Sequence, residues 1–216
     1  MFGTGAKAPL GSALLSLFAP IRFLTVLLFL VGFPLAACAP KIKPVEVPEY
    51  KGTLSSFLNE NSFWEGLSGS FSLVLKKPDG QVLSADAFIQ AGPEKLEMRF
   101  YRFGFPAGEL VEEPDPRYEH LKEAIKNALI WWRVGDYRAA SLENEYLLEA
   151  DSRSLVLDRK TLVPLNQSLF LPEGTVTISY SAYQRLETLW YPFRMEIRYS
   201  GYELDLAAKK LELRSR

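Results

Sequence analysis

The chain has 216 residues with 25 basic and 26 acidic side chains, one histidine and one cysteine, so its formal net charge is −1. That near-balance argues against a nucleic-acid partner, a lone cysteine forbids an internal disulfide, and a lone histidine leaves no His/Cys set at metal-ligand spacing. The length suits one domain with a sizeable core.

Residues 1–37 contain Lys7 and Arg22 and no acidic residue, and Phe23 to Phe33 form an apolar run ended by Pro34. This is a basic segment followed by a hydrophobic segment short of the ~20 residues a spanning helix needs, although an earlier apolar stretch, Leu10 to Phe18, lengthens it. Small residues Ala36 and Ala37 follow, then Cys38. The stretch Leu35-Ala36-Ala37-Cys38 resembles the lipobox of bacterial lipoproteins. The resemblance implies that the chain is cut before Cys38, whose thiol carries a diacylglyceryl group and whose new amino group is acylated. The alternative is an uncleaved anchor with an inert cysteine. In that family an aspartate after the cysteine retains many lipoproteins in the inner membrane; Ala39 stands here, which implies the periplasmic face of the outer membrane.

Pro40, Pro44 and Pro48 recur at every fourth position, which excludes helix and predicts a stiff, extended tether over residues 38–50. The domain proper is expected over 51–216. Removing Lys7 and Arg22 makes it slightly more acidic, so anchoring has to come from acyl chains rather than a polybasic patch.

In the body, Leu54, Phe57, Leu58 and Asn61 predict a short amphipathic helix within Thr53 to Leu67. Phe71, Leu73 and Leu75 then alternate with polar or outward positions, KPDGQ supplies a turn, and Val82 to Gln90 returns. GPEK turns into Leu96, Met98 and Phe100, completing a three-stranded meander. Asp115-Pro116 predicts a helix start. Tyr118, Leu121, Ile125, Ala128, Leu129 and Trp132 form its apolar face, and Gly135 its stop. Alternation then runs to the C-terminus through Val176, Ile178 and Tyr180, and through Phe193, Met195 and Ile197. Leu211 and Leu213 fall out of phase with Tyr202, Leu204 and Leu206, which predicts a bulge near Ala207 to Lys210. About nine to eleven strands and two helices make an α+β fold.

The segments EKLEMRFYRFGFPAGELVEE and TVTISYSAYQRLETLWYPFRMEIRYSGYELDLAAKKLELR are similar to stretches of the LolA/LolB superfamily of lipoprotein carriers and receptors. The resemblance spans most of residues 52–214. It implies an incomplete antiparallel barrel, a strongly curved sheet whose concave face is covered by helices. It also implies a monomeric receptor that binds acyl chains, takes lipoproteins from a periplasmic carrier and inserts them in the outer membrane. No cofactor and no catalysis are implied.

Two site expectations follow. The loop RFGFPAGEL places Phe103, Phe105 and Pro106 where the receptor exposes an apolar residue to membrane or cargo; here the two rings either project or fold back onto the sheet. Phe71, Leu73, Leu75, Leu96, Met98, Phe100, Val176, Ile178, Phe193, Met195 and Ile197 share one side of the sheet, with Leu121, Ile125, Leu129 and Trp132 as the helix plug. If the helix docks fully this is a filled core, as in a scaffold lipoprotein; if not, it is an acyl pocket. His120 reads as a solvated helix residue, and Trp131, Trp132 and Trp190 as core rather than sugar platforms. Neither a phosphate loop nor a nucleophile elbow occurs.

Overall fold

Thr53 sits in extended backbone, and its hydroxyl accepts from the Ser56 amide at 3.1 Å, capping helix α1 (Leu54–Asn61). The computed structural model describes residues 45–102, 105–109 and 116–215, with side chains for 45–101 and 119–215. The proposed signal segment with Cys38, and Phe103 at the predicted loop, lie outside these residues.

Helix α1 buries Phe57 and Asn61 and covers the predicted spacing from Leu54 to Asn61, with Ser62 as its C-cap. Ser62, Gly66 and Ser68 are weak helix formers, and the chain from Trp64 on finds strand partners instead. The strands are β1 (Trp64–Lys76), β2 (Val82–Ala91), β3 (Leu96–Arg102), β4 (Phe105–Glu109), β5 (Arg138–Ser141), β6 (Glu145–Ala150), β7 (Arg153–Asp158), β8 (Pro164–Leu171), β9 (Gly174–Leu186), β10 (Leu189–Tyr199) and β11 (Tyr202–Ser215). Helix α2 (Pro116–Leu129) stands between β4 and β5.

All the strands join one antiparallel sheet in the order β4-β3-β2-β1-β11-β10-β9-β8-β7-β6-β5. Strands β4 and β5 end the order without pairing to each other, so the sheet stays open. The predicted meander gains a fourth strand. Phe105 and Pro106, read from sequence as loop residues, open β4 opposite Arg102 and Tyr101. Proline has no amide to donate, and an edge strand such as β4 tolerates that loss.

Because the side-chain period of a strand is two, directly paired residues share a face. One row of partners runs Leu83, Leu75, Leu204, Ile197, Ile178, Gln167, Leu155, Leu148, Ala139, from β2 across to β5. A second joins Leu73, Leu206, Met195 and Tyr180. Most of these side chains are buried and belong to a single core cluster with Leu121, Ile125 and Leu129 of α2. A large aliphatic or aromatic side chain withdrawn from water in this way contributes about 1.5–3 kcal/mol.

The predicted bulge is present. Ser70 pairs with Lys210 and Phe71 with Ala208, so Lys209 is the extra residue of β11. Its ammonium reaches across to Asp86 at 2.6 Å. Opposite this irregularity, a Cβ built on Gly69 would stand 2.3 Å from the Lys210 carbonyl oxygen, closer than real side chains come. At the β10–β11 turn Ser200 and Gly201 both have positive φ, 48° and 81°, the twist a two-residue hairpin requires.

Helix α2 ends at Leu129, before the predicted stop at Gly135. Trp132, expected on the helix, lies instead in the following turn, where the Arg133 amide bonds the Ile130 carbonyl. It remains buried at 3 % exposure.

The close approach at Gly69 makes a prediction. Gly69→Ala should destabilise the domain by about 1–3 kcal/mol through backbone displacement at the bulge, measured by denaturant unfolding. Wild-type stability would show that β11 moves aside freely.

Candidate functional site: an apolar sheet face under a tied helix

The predicted lining residues separate into two groups. Phe71, Val176, Ile178, Met195 and Ile197 have no exposed surface and Leu73 has 7 %. Leu75, Leu96, Met98, Phe100 and Phe193 are half-buried and pack against the same core. Of the predicted plug, Leu121, Ile125 and Leu129 are buried on α2, which packs on β8, β9 and β10.

The face is not uniformly covered. Leu83, which shares the face of Leu75, is 43 % exposed, and Val74 and Val82 on the opposite face are 42 % and 59 % exposed. Both faces of the β1–β2 hairpin end thus carry exposed apolar side chains, with Val82 directly opposite Lys76, whose ammonium lies 3.2 Å from Glu203. Strand β3 runs beside this end, with Tyr101 opposite Asp86. The β10–β11 turn also lies here, since a Cβ on Gly201 would be 3.3 Å from Pro78.

Helix α2 is tied to β10 near both of its ends. His120 Nδ1 lies 2.9 Å from the Tyr199 hydroxyl, the rings meet edge to face, and Glu173 stands 3.9 Å away. His120 is therefore half-buried and engaged, in contrast to the solvated residue its charged neighbours suggest. The Tyr191 hydroxyl donates to the Leu129 carbonyl at 2.8 Å, satisfying an acceptor that a helix C-terminus leaves free. With His120 near Tyr199 and Leu129 near Tyr191, α2 runs antiparallel to β10.

Beyond α2 an aromatic series continues the seal. Trp131 stacks on Phe57 of α1 at 6.1 Å, Trp132 meets Trp131 and Tyr191 edge to face, and its indole donates to the Trp64 carbonyl at 3.1 Å. Tyr50 packs edge-on against Phe57. Trp131 and Trp132 are core, and Trp190 is half-buried. The Trp131 indole nitrogen has no hydrogen-bond partner among the described residues.

Sequence reasoning missed the polar members of this interior. Gln167 keeps the inward phase of Leu169 and Leu171 on β8, a signal available in the alternation. Its side-chain oxygen accepts from the Tyr180 hydroxyl at 2.5 Å, both groups being buried. The Tyr183 hydroxyl bonds the Pro164 carbonyl. Burial pushes Tyr180 and Tyr191 well above the usual phenol range, and Tyr183 is raised by the same cause.

No family model matches the chain, and no curated protein does. Among solved structures, a DUF1329 family protein from Desulfovibrio piger ATCC 29098 is 13% identical, covering 74% of this chain and 90% of its own, with a TM-score of 0.51. A LolA superfamily protein from Nitrosomonas europaea is 12% identical, covering 76% and 95%, with a TM-score of 0.46. A domain from Vibrio parahaemolyticus, provisionally named for outer membrane lipoprotein sorting, is 12% identical, covering 74% and 90%, with a TM-score of 0.41. The likeness to the Desulfovibrio protein is one of fold.

The interior tyrosines Tyr180, Tyr183 and Tyr191 dominate the alkaline behaviour. Below about pH 10 the folded and unfolded chains both keep these protons; above it the unfolded phenols ionise while the folded ones do not. Stability should therefore fall as pH rises past that point, with phenolate absorbance from these residues appearing together with loss of the fold. Ionisation of all tyrosines near pH 10 with the circular-dichroism signal intact would contradict this.

Proposed function

We propose that the chain is a non-enzymatic outer-membrane lipoprotein whose open sheet takes acyl chains beneath α2. In this role it receives lipoproteins from a soluble periplasmic carrier and releases them into the membrane. The observation that carries this is the row from Leu83 to Leu148, apolar except for Gln167, whose oxygen is bonded to the Tyr180 hydroxyl, and open to solvent at its Leu83 end. An acyl chain entering there would meet Leu75 and Phe100 and would continue along the face as α2 yields. Transfer of this kind needs no nucleotide and no covalent chemistry: cargo moves when the second apolar face holds it better than the first.

The exposed valines Val74 and Val82 suit the same end to a lipid surface. Apolar side chains exposed together are costly in water and gain about 25 cal/mol per Å² when covered. Cys38 supplies the anchor, with residues 38–50 as spacer.

A second function rests on a specific observation. Phe71, Val176, Ile178, Met195 and Ile197 have no exposed surface, as expected of an envelope scaffold whose interior is filled.

The two are separated by native mass spectrometry of the chain with a neutral, fluorescent N-acylated peptide. The receptor role predicts saturable binding, weakened on the order of tenfold by Leu83→Glu, which places a charge where the acyl chain enters, and loss of delivery to vesicles in Phe103→Glu/Phe105→Glu. A filled scaffold would show no bound lipid, and the phenylalanine changes would lower its stability if those rings are buried. Cys38→Ser should abolish incorporation of labelled palmitate; unchanged labelling would remove the anchor assignment.

A further inference from the structure

Away from the apolar row, the end of α1, the turn after α2 and β7 surround an open pocket of about 590 Å³ with different chemistry. Its wall includes Leu58, Trp132 and Tyr137, and its cations are Lys126, Arg133 and Arg153. Lys126 is matched, because Glu123 lies 2.7 Å from its ammonium. The same carboxylate also accepts from Asn127 at 2.7 Å.

The two arginines are not matched. Arg153 is half-buried, and its guanidinium donates to neutral acceptors, Asn127 Oδ1 at 2.7 Å and the Arg133 carbonyl. Burial holds it below the usual guanidinium range, with Glu123 only partly offsetting that. The Arg133 side chain, also half-buried, makes no hydrogen bond or ion pair with the described residues. Cations withdrawn from water are normally paired, since an unpaired one retains its desolvation cost. The Arg153 bond to the Arg133 carbonyl holds the two residues side by side, so their excess charge falls on one pocket.

We propose that this pocket binds a phosphate group, with Arg133 and Arg153 as its ligands. Two guanidinium forks suit a group of about two negative charges with several acceptor oxygens better than a single carboxylate. Trp132, Leu58 and Tyr137 leave room for an apolar body beside it. Arg133 belongs neither to the Leu83 to Leu148 row nor, through its side chain, to the bonds that tie α2, so its replacement tests this site apart from the acyl-binding function, whereas Arg153 also bonds Asn127 of α2.

The test is calorimetric titration of the full chain in neutral detergent with inorganic phosphate and with hexyl phosphate. Saturable binding is expected, weakened at least tenfold by Arg133→Gln, whose side chain has no bond to lose, and weakened less by Arg133→Lys, which keeps the charge without the fork. Arg153→Lys should also weaken it, because the fork is lost although the charge is kept. Tighter binding of hexyl phosphate identifies a lipid headgroup, and equal binding identifies the free ion. Absence of saturation with both probes, or affinity unchanged in Arg133→Gln at wild-type melting temperature, overturns the site. Either result leaves binding of the neutral acyl peptide unaffected, so failure here is distinct from failure of the acyl function.

Discussion

A wide sheet with one apolar face has to keep that face from water, and covering it is the constraint on which the rest of this molecule depends. The chain meets it by crossing from β4 to β5 through α2 and laying Leu121, Ile125 and Leu129 over β8, β9 and β10. The aromatic turn Ile130 to Arg133 carries the seal on to Trp64 and to Phe57 of α1. Burial supplies most of the free energy, and the hydrogen bonds of His120, Tyr191 and Arg153 choose the helix position rather than drive its docking.

That division of labour bears on function. Apolar burial is non-directional, so another apolar group can replace the face of α2 at small net cost, whereas the polar ties have to be broken individually at about 0.5–1.5 kcal/mol each. On the proposed function, a helix held this way stays closed in water and gives way to an acyl chain. Within the same face the Gln167 oxygen and the Tyr180 hydroxyl are bonded to each other, so neither of these two atoms is left bare against an incoming chain.

Much of the sheet was legible because period-two alternation survives in β1, β3, β9 and β10, and even the bulge at Lys209 was announced by the phase change before Leu211. What was illegible has physical causes. Pro106 reads as a loop residue until β4 is known to be an edge strand, where a missing amide costs nothing. Trp132 continues the helical spacing of α2, but the helix stops at Leu129, where Tyr191 from a distant strand takes the terminal carbonyl. His120 and Arg153 sit among charges in sequence, and only the fold brings Tyr199 to one and the turn after α2 to the other. The partners of such groups are set by strand order, which local pattern does not encode.

Amide hydrogen exchange along α2 distinguishes a helix that opens over the apolar sheet face from one fixed in the core. If the account is right, α2 amides exchange through local opening at lower free energy than those of β1, β9 and β10, and adding a neutral acylated peptide changes α2 exchange selectively. Exchange of α2 only on global unfolding, with no response to the peptide, would make the helix a permanent part of a filled core and contradict the account.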